Sequence, residues 1–335
     1  MKENNKKRWL AFGLFILVII LSIYSDINKG SNKENLNITK DAFDKITNTY
    51  QEEVISGTNR LRKIKVINVD GVIASDPSND QIVKSLKNAA DDDTVAGVIL
   101  NINSPGGSVY ASERIYKEIK KLQEIGKPVY AVMRELAASG GYYISAPCDK
   151  IFASNETWTG SIGVIIQSYS LEGLFNKYGI KEQNITTGKM KDAGSYGSDM
   201  DTEEKEYFQG LVDSAFGRFV KVVAQGRDLS EKDVRKLADG RVYDGSQAVK
   251  NGLVDKIGDL DDAIKDMDTS YKLNDPMVIQ EVDYLNNFSK LLPGFMLKKD
   301  PAKSDLQIIK DMMEKEGIMP MYLYGGYCEW KNYYK

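Results

Sequence analysis

The chain has 335 residues, of which 42% are hydrophobic, so it can bury a substantial core and is not a disordered tail protein. Its formal net charge is −3, and because residues 2–8 hold four basic side chains and one acidic one, the rest of the chain is acidic and has no surface typical of nucleic-acid binding. Two cysteines are too few for a disulfide scaffold, and the absence of histidine excludes Ser-His-Asp triads, Cys-His pairs and histidine-based zinc sites.

The first predicted element is an uncharged apolar run at residues 9–25, which follows the basic residues 1–8. Its length is near the lower limit for a helix that spans a bilayer. The positive-inside rule keeps the basic end in the cytoplasm and places the rest of the chain on the extracytoplasmic side. A cleaved signal peptide is the alternative, but the run ends in SIYS at residues 22–25, a poor cleavage site. We therefore predict an uncleaved, single-pass anchor in the cell membrane.

A polar stalk and then a globular body follow the anchor. Residues 26–60 are rich in Asn, Lys, Glu and Thr, which predicts a partly helical stalk. Alternating β-branched residues at 63–74 predict a strand, and apolar residues at helical spacing predict a helix at 79–90. The continuous apolar run at 95–102 is typical of a strand that is buried on both faces.

The alternation of strand and helix continues along the body. The pattern predicts a helix at 108–122, a strand at 128–132 and a helix that opens at 139–146. This order predicts an α/β domain whose parallel strands are joined by crossover helices.

Two loops of this domain are candidates for chemistry. Pro105-Gly106-Gly107 would let backbone N–H groups approach a ligand and hold an oxyanion, although the pattern alone favours a simple tight turn. In the second loop, small residues flank Ser139 where a helix is predicted to start. A serine at such a position is more often an N-cap than a nucleophile, so position alone favours the cap.

Five segments, read together, resemble one family. They are SPGGS at 104–108, AASGGYYIS at 137–145, TGSIGV at 159–164, GKMKDAGS at 188–195 and DGRVYDGSQAVKNGLVDKIGDLDDAI at 239–264. In this order they are similar to the signal peptide peptidase A family. These are single-domain, membrane-anchored bacterial enzymes whose fold is related to the Clp protease subunit and the crotonases.

The resemblance implies both a fold and an activity. The fold is a Clp protease/crotonase-like α/β domain of repeated strand-strand-helix units, preceded by one N-terminal transmembrane helix. The activity is that of a serine endopeptidase that degrades remnant signal peptides and other apolar, membrane-associated peptides through an acyl-enzyme. Ser139 would be the nucleophile and Lys191 the general base, without metal or cofactor. The implied partners are peptides, the membrane and further copies of the chain in a ring-like homo-oligomer, with no nucleic acid.

The missing histidine fits a Ser–Lys pair, because an activated serine then needs another base and lysine serves only when it is neutral. An exposed lysine has a pKa of about 10.4, so a base poised near neutrality needs a pKa lowered by roughly 3 units, normally through burial. We therefore expect a buried lysine. The residues alone do not choose between Lys189 and Lys191, which would share a face of an extended segment, and only the family motif selects Lys191.

Supporting roles are assigned to the same loops. The backbone N–H groups of Gly106 or Gly107 and of Gly140 are the candidate oxyanion hole. The resemblance suggests that Ser161 orients the lysine amine, and a turn serine at a strand end is the alternative. The side chains expected as pocket walls for apolar peptides are Leu136, Tyr142, Tyr143 and Ile144.

The predicted peptidase domain covers residues 61–275, and a C-terminal extension covers 276–335. Apolar residues at helical spacing predict a core or interface helix at 202–225, and MVIQEV predicts a strand at 277–282. The end of the chain, residues 318–334, is unusually aromatic and apolar. The favoured interpretation is a tail packed on its own or a neighbouring subunit, and the alternative is a segment that lies extended in the binding groove like a substrate.

Two other functions share the predicted fold. A crotonase that acts on acyl-CoA would use the glycine-rich oxyanion loop, but export across the membrane separates it from CoA and leaves Ser139 and Lys191 without a role. A non-catalytic scaffold would be expected to have lost this pair, and both residues are present.

Overall fold

Eleven strands and eight α-helices are found in residues 50–283 and 320–323, the part of the chain that the computed structural model describes. The strands are β1 (Tyr50–Ser56), β2 (Asn59–Asp70), β3 (Val95–Ser104), β4 (Gly106–Ser108), β5 (Val129–Ala138), β6 (Lys150–Ala153), β7 (Trp158–Gly160), β8 (Val242–Asp244), β9 (Lys256–Ile257), β10 (Pro276–Asp283) and β11 (Met321–Leu323). The helices are α1 (Pro77–Asp91), α2 (Val109–Glu124), α3 (Gly140–Ser145), α4 (Glu172–Tyr178), α5 (Thr202–Gly226), α6 (Glu231–Leu237), α7 (Gly245–Lys250) and α8 (Leu260–Tyr271), with a 3-10 helix at Lys189–Asp192.

By its contacts the chain divides into two units. One consists of residues 52–281 and 299–335 and contains the site described below, and the other consists of residues 1–51 and 282–298. Among the described residues the second unit is represented only by the outer ends of β1 and β10.

Parallel strands form most of the main sheet. Its order is β1-β10-β2-β3-β5-β6-β9, and β7 pairs parallel with the end of β5 and antiparallel with β8. Helix α1 connects β2 to the parallel strand β3, and the segment formed by β4 and α2 connects β3 to the parallel strand β5, so both helices are crossovers between parallel neighbours. The predicted α/β architecture with a mostly parallel sheet is confirmed.

Both faces of the central strands are buried, because successive side chains point alternately into two hydrophobic cores, one on each side of the sheet. Leu100 of β3 packs in the larger core, which includes residues of α1, α2 and α5. Its neighbour Ile99 packs on the opposite face with Met267 of α8. This double burial explains why β3 reads as a continuous apolar run rather than an alternating one. Truncating such a fully buried leucine to alanine would cost about 2–5 kcal/mol.

A charged cluster fastens α8 to the sheet. Asp266 accepts a hydrogen bond from Tyr130 Oη at 3.1 Å and forms ion pairs with Lys150 and Lys256. Burial alone would raise the pKa of this carboxyl group, but the three donors outweigh burial and hold the pKa of Asp266 well below its usual range. The cluster therefore joins α8 to β5, β6 and β9.

Strands β2 and β5 differ most from the sequence expectation, and β2 begins at Asn59 rather than at residue 63. Strand β2 ends at Asp70 rather than at residue 74, because Gly71 adopts a left-handed φ of 76°. Strand β5 continues six residues beyond the predicted end at residue 132, since Leu136–Ala138 pair with β7. This extension carries the chain directly to Ser139. The sheet also includes β10, which lies outside the 61–275 range expected for the peptidase domain.

The predicted anchor at 9–25 and most of the stalk at 26–60 lie outside the described residues. Within residues 50–283 and 320–323, no helix combines the length and the apolar character that a membrane span requires.

Candidate active site

Ser139 occupies a sharp turn between β5 and α3. Its backbone has φ 53° and ψ −112°, a left-handed conformation that costs a non-glycine residue about 1–3 kcal/mol. The turn is held by the Ser139 N–H, which donates to the Gly160 carbonyl at 2.8 Å, and by the Ser139 carbonyl, which accepts from Tyr143 N. Although Ser139 stands at the N-cap position of α3, its side chain makes no capping hydrogen bond. The capping alternative is therefore not observed.

Glycines let the turn at residues 139–141, here called the nucleophile turn, pack directly on the loop at residues 104–107. A methyl group on Gly141 would lie 2.9 Å from the Ser104 carbonyl oxygen, and one on Gly140 would lie 3.0 Å from Gly107 N. Real side chains avoid such contacts, so only glycine allows this approach. The two loops that the sequence marked as candidates thus meet backbone to backbone.

Strand β4 presents the peptide groups of Gly107 to a groove. Ile73 N donates to the Gly106 carbonyl at 2.8 Å, and Ser108 N donates to the Ile73 carbonyl at 2.7 Å. Because alternate residues of a strand face opposite neighbours, the N–H and C=O of Gly107 face the other way. The N–H of Gly106 is already used, since it donates to Ser104 Oγ at 3.1 Å. Of the two predicted glycines, Gly107 is the one whose N–H faces the groove.

The chain's own segment β11 lies in this groove as an added strand. Tyr322 pairs antiparallel with Gly107, and Met321 exchanges two hydrogen bonds with Ile165 on the other side, at 2.9 and 3.0 Å. A methyl group on Gly106 would collide with the Tyr322 carbonyl oxygen and would lie 2.5 Å from Gly140 N and 3.0 Å from Ser139 Cβ. The Tyr322 carbonyl group therefore adjoins both Ser139 and the Gly140 N–H.

A deep pocket holds the Tyr322 side chain, which is completely buried. Its ring centroid lies 4.8 Å from those of both Tyr143 and Phe219, and its hydroxyl donates to the Ala215 carbonyl at 3.1 Å. Burial raises the pKa of the Tyr322 hydroxyl, so it is neutral. The pocket is aromatic along its sides and has one hydrogen-bond acceptor at its end. Tyr143 was expected as a pocket wall, whereas the hydroxyl of Tyr142 points elsewhere, to the Leu253 carbonyl.

Both candidate lysines lie on the exposed 3-10 helix at Lys189–Asp192. Lys189 pairs with Glu203 at 2.5 Å and with Asp201 at 3.8 Å, and its hydrogen bond to Glu203 raises its pKa, which is the wrong direction for a base. Lys191 is also exposed, and no hydrogen bond joins it to Ser139 among the described residues. The burial expected of the base is thus absent from the single chain, and residues 181–189, which precede Lys191, are exposed as well.

Ser161 belongs to the backbone framework around Ser139. It follows β7, is almost fully buried and has a left-handed φ of 48°. Its N–H donates to the Arg241 carbonyl at 2.8 Å, while the preceding Gly160 supports Ser139. No hydrogen bond between Ser161 and Lys191 occurs in the described ranges. Two strained serines on adjacent strand ends are typical of a functional site.

Three groups at the site were not identified from the sequence. Ile165 forms the second wall of the groove, Phe219 forms part of the pocket, and Ser112 places a buried hydroxyl beneath Gly140. Of these three, only Phe219 belongs to a sequence pattern, the apolar positions of the predicted helix at 202–225. That pattern predicted a core or interface position rather than a pocket wall.

Comparisons with known proteins identify the family of the chain. The profile described as "Peptidase family S49" matches residues 121–274, and that of "Clp protease" matches residues 49–156. A protein of Enterococcus faecium named "Putative signal peptide peptidase SppA" is 38% identical over 96% of this chain and 99% of its own length.

Two further relatives match a smaller share of this chain. "Protease 4" of Haemophilus influenzae is 36% identical over 74% of this chain but only 42% of its own length. "Serine protease SPPA, chloroplastic" of Arabidopsis thaliana is 35% identical over 55% of this chain and 27% of its own length. The chain belongs to peptidase family S49, the signal peptide peptidase A family, and is a serine protease.

Proposed function

We propose that the chain is a membrane-anchored endopeptidase that cleaves apolar peptides, including remnants of signal peptides, with Ser139 as nucleophile and Lys191 as general base. The observation that carries this proposal is the position of Tyr322. A peptide carbonyl group lies beside Ser139 and the Gly140 N–H, in a segment bound as an added strand. Peptidases hold a substrate in this extended form before attack.

The proposed chemistry has two steps. In the first, Ser139 Oγ attacks the scissile carbonyl carbon while neutral Lys191 takes the hydroxyl proton and then passes it to the leaving amine. The developing oxyanion is bound by the N–H groups of Gly107 and Gly140, where loss of one donor typically lowers the rate by about 10²–10³-fold. In the second, water attacks the acyl-enzyme ester, again with Lys191 as base, and Ser139 is restored.

The exposure of Lys191 supports a homo-oligomer as the active form. A lysine serves as base near neutrality only when it is desolvated, and the single chain leaves Lys191 in solvent. The surrounding segment also exposes large apolar side chains, with Tyr178 and Ile180 more than half exposed and Ile185 fully exposed. We infer that a second copy of the chain packs on this segment and buries Lys191 next to Ser139 of one of the copies in the assembly.

The pocket supports a preference for large apolar or aromatic residues before the cleaved bond. Tyr322 is completely buried in it, and the hydrogen bond of its side chain goes from the hydroxyl to Ala215, so Phe and Leu would fit with the loss of this one bond. Among the described residues no cation–π pair involves the Tyr322 ring, and beside the effect of burial the opposite charges of Arg218 and Glu113 have opposing effects on the pKa of its hydroxyl. Membrane-released peptides have the apolar composition that such a pocket accepts.

The experiment that tests the proposal combines active-site labelling with peptide turnover. An activated fluorophosphonate should label the wild-type chain and fail to label Ser139→Ala. Because dyad peptidases can react slowly with such probes, turnover of an apolar peptide is measured in parallel. Turnover by Ser139→Ala at the wild-type rate would exclude the proposed nucleophile, and so would labelling that survives the substitution.

A further inference from the structure

Ser112 carries a buried hydroxyl that the proposed chemistry does not use. It lies on the first turns of α2 and is completely buried. Its Oγ is the one buried side-chain polar atom without a hydrogen-bond partner in residues 50–283 and 320–323. Buried hydroxyls are nearly always paired, because an unpaired one gives up its bonds to water and gains none. Alanine would remove this cost and also has the higher helix propensity, so fold stability does not explain the serine.

The hydroxyl lies where the two halves of the proposed oxyanion hole meet. A methyl group on Gly140 would stand 2.8 Å from Ser112 Oγ and 3.0 Å from both Gly106 Cα and Gly107 N. Ser112 Oγ therefore packs against the Cα of Gly140, beside the strand that carries Gly107. Because Gly140 has no side chain, atoms packed against its backbone, such as Ser112 Oγ, help to set its position together with the backbone hydrogen bonds of the turn.

Two other buried serines nearby show what a purely structural hydroxyl does here. Ser104 Oγ donates to the Gly71 carbonyl at 2.6 Å and accepts from Gly106 N, and Ser145 Oγ donates to the Gly141 carbonyl at 2.7 Å. Ser104 thus joins two loops through its hydrogen bonds, and Ser145 bonds back within α3. Ser112 contacts the same turn without bonding to it, so its contribution is the space that its oxygen fills.

We propose that Ser112 is a positioning residue of the oxyanion hole, an inference that rests on the function proposed above. Its Oγ is a spacer that holds the Gly140 N–H at the distance from the Gly107 N–H at which both bind one oxygen. In Ser112→Ala the space beneath Gly140 opens, and the nucleophile turn relaxes towards α2. A misplacement of about 1 Å can lower a rate by 10²-fold, so we expect kcat to fall by about 10-fold to 100-fold.

The test measures stability and catalysis in the same variant. Ser112→Ala in the full chain should keep a Tm equal to or above that of the wild type, because it loses an unpaired buried hydroxyl. Its kcat on an apolar peptide should fall while KM stays within about twofold. A peptide aldehyde forms a tetrahedral adduct with the nucleophile, so its affinity should fall by the same factor as kcat, while the affinity for an uncleavable peptide should not change.

Two further variants keep the proposal falsifiable. Ser85→Ala removes a buried hydroxyl of α1 that bonds to Glu281, away from the site, and should lower Tm without changing kcat. Ser112→Cys keeps an atom in the spacer position and should retain more activity than Ser112→Ala. If the alanine variant does not fold, kcat and aldehyde affinity are measured in the cysteine variant instead.

Three results would overturn the role of Ser112. They are wild-type kcat in Ser112→Ala, parallel losses of Tm and kcat with unchanged aldehyde affinity, and a cysteine variant no more active than the alanine variant. These results are distinct from failure of the proposed function, which would appear as turnover by Ser139→Ala. Wild-type turnover by Ser112→Ala beside an inactive Ser139→Ala removes only the inference about Ser112.

Discussion

Tyr322→Ala tests whether the segment in the groove competes with substrates. The side chain is completely buried, lies 4.8 Å from two aromatic rings and bonds to the Ala215 carbonyl. Truncating an aromatic residue buried in this way costs about 3–5 kcal/mol. This loss corresponds to a factor of about 100 or more in the docking equilibrium of β11, since each 1.4 kcal/mol is tenfold. The variant should therefore leave the groove largely open.

The assay is the initial rate of cleavage of an internally quenched apolar peptide over a range of concentrations. Because a docked segment acts as a competitive occupant, the apparent KM should fall in Tyr322→Ala by up to about 100-fold while kcat stays constant. The matched control is Tyr271→Ala, which removes a half-exposed aromatic ring from α8, on the opposite face of the sheet. This control should keep the wild-type KM.

An unchanged apparent KM in Tyr322→Ala would refute the reasoning, because it would show that the groove is already open in solution. A rise in KM would also refute it, since Tyr322 would then assist substrate binding rather than compete with it.

Three further changes have expected outcomes. Gly106→Ala should lower kcat by at least about 100-fold, because its methyl group would lie against the Gly140 N–H and Ser139; turnover measures it, and near-normal kcat would contradict it. Ser139→Gly should unfold at a higher temperature than Ser139→Ala, by an amount worth about 1–2 kcal/mol, because φ of 53° strains only the alanine. Asp266→Asn should be less stable than the wild type at neutral pH, and the difference should vanish in acid. The depressed pKa of Asp266 gives stability that is present above the unfolded pKa of about 4 and is lost as pH falls through the folded pKa; a pH-independent difference in urea unfolding would contradict this.

Local patterns predicted the elements that local forces determine. The apolar run at 95–102 gave β3 because burial on both faces requires apolar residues throughout. Ser139 was found through its small neighbours and the family motif, and the structure adds a reason for those neighbours, the close approach of two backbones at Gly140 and Gly141. The alternative interpretation of the C-terminal tail, an extended segment in the groove, matches the observed pairing of β11.

Other features depend on distant partners and were not predictable from local sequence. The extra length of β5 comes from pairing with β7, and the identity of Tyr322 as the pocket residue comes from the register of β11 against β4. The register of β11 has no signature in residues 318–334, where aromatic and apolar residues occur at most positions and none of them is singled out. The expected burial of the lysine base is not observed for Lys191 in the single chain, because it lies on the exposed 3-10 helix at Lys189–Asp192.

The measurement that tests the central claim most directly is peptide turnover by Lys191→Ala, compared with Lys189→Ala, in the assembled full-length protein. The two lysines share one exposed 3-10 helix, and Lys189 is held by Glu203, so the pair is a matched comparison. We expect Lys191→Ala to lose activity by at least about 10³-fold without a change in Tm, because no histidine can replace the base, and Lys189→Ala to stay within a few-fold of wild type. Wild-type turnover by Lys191→Ala would contradict the dyad.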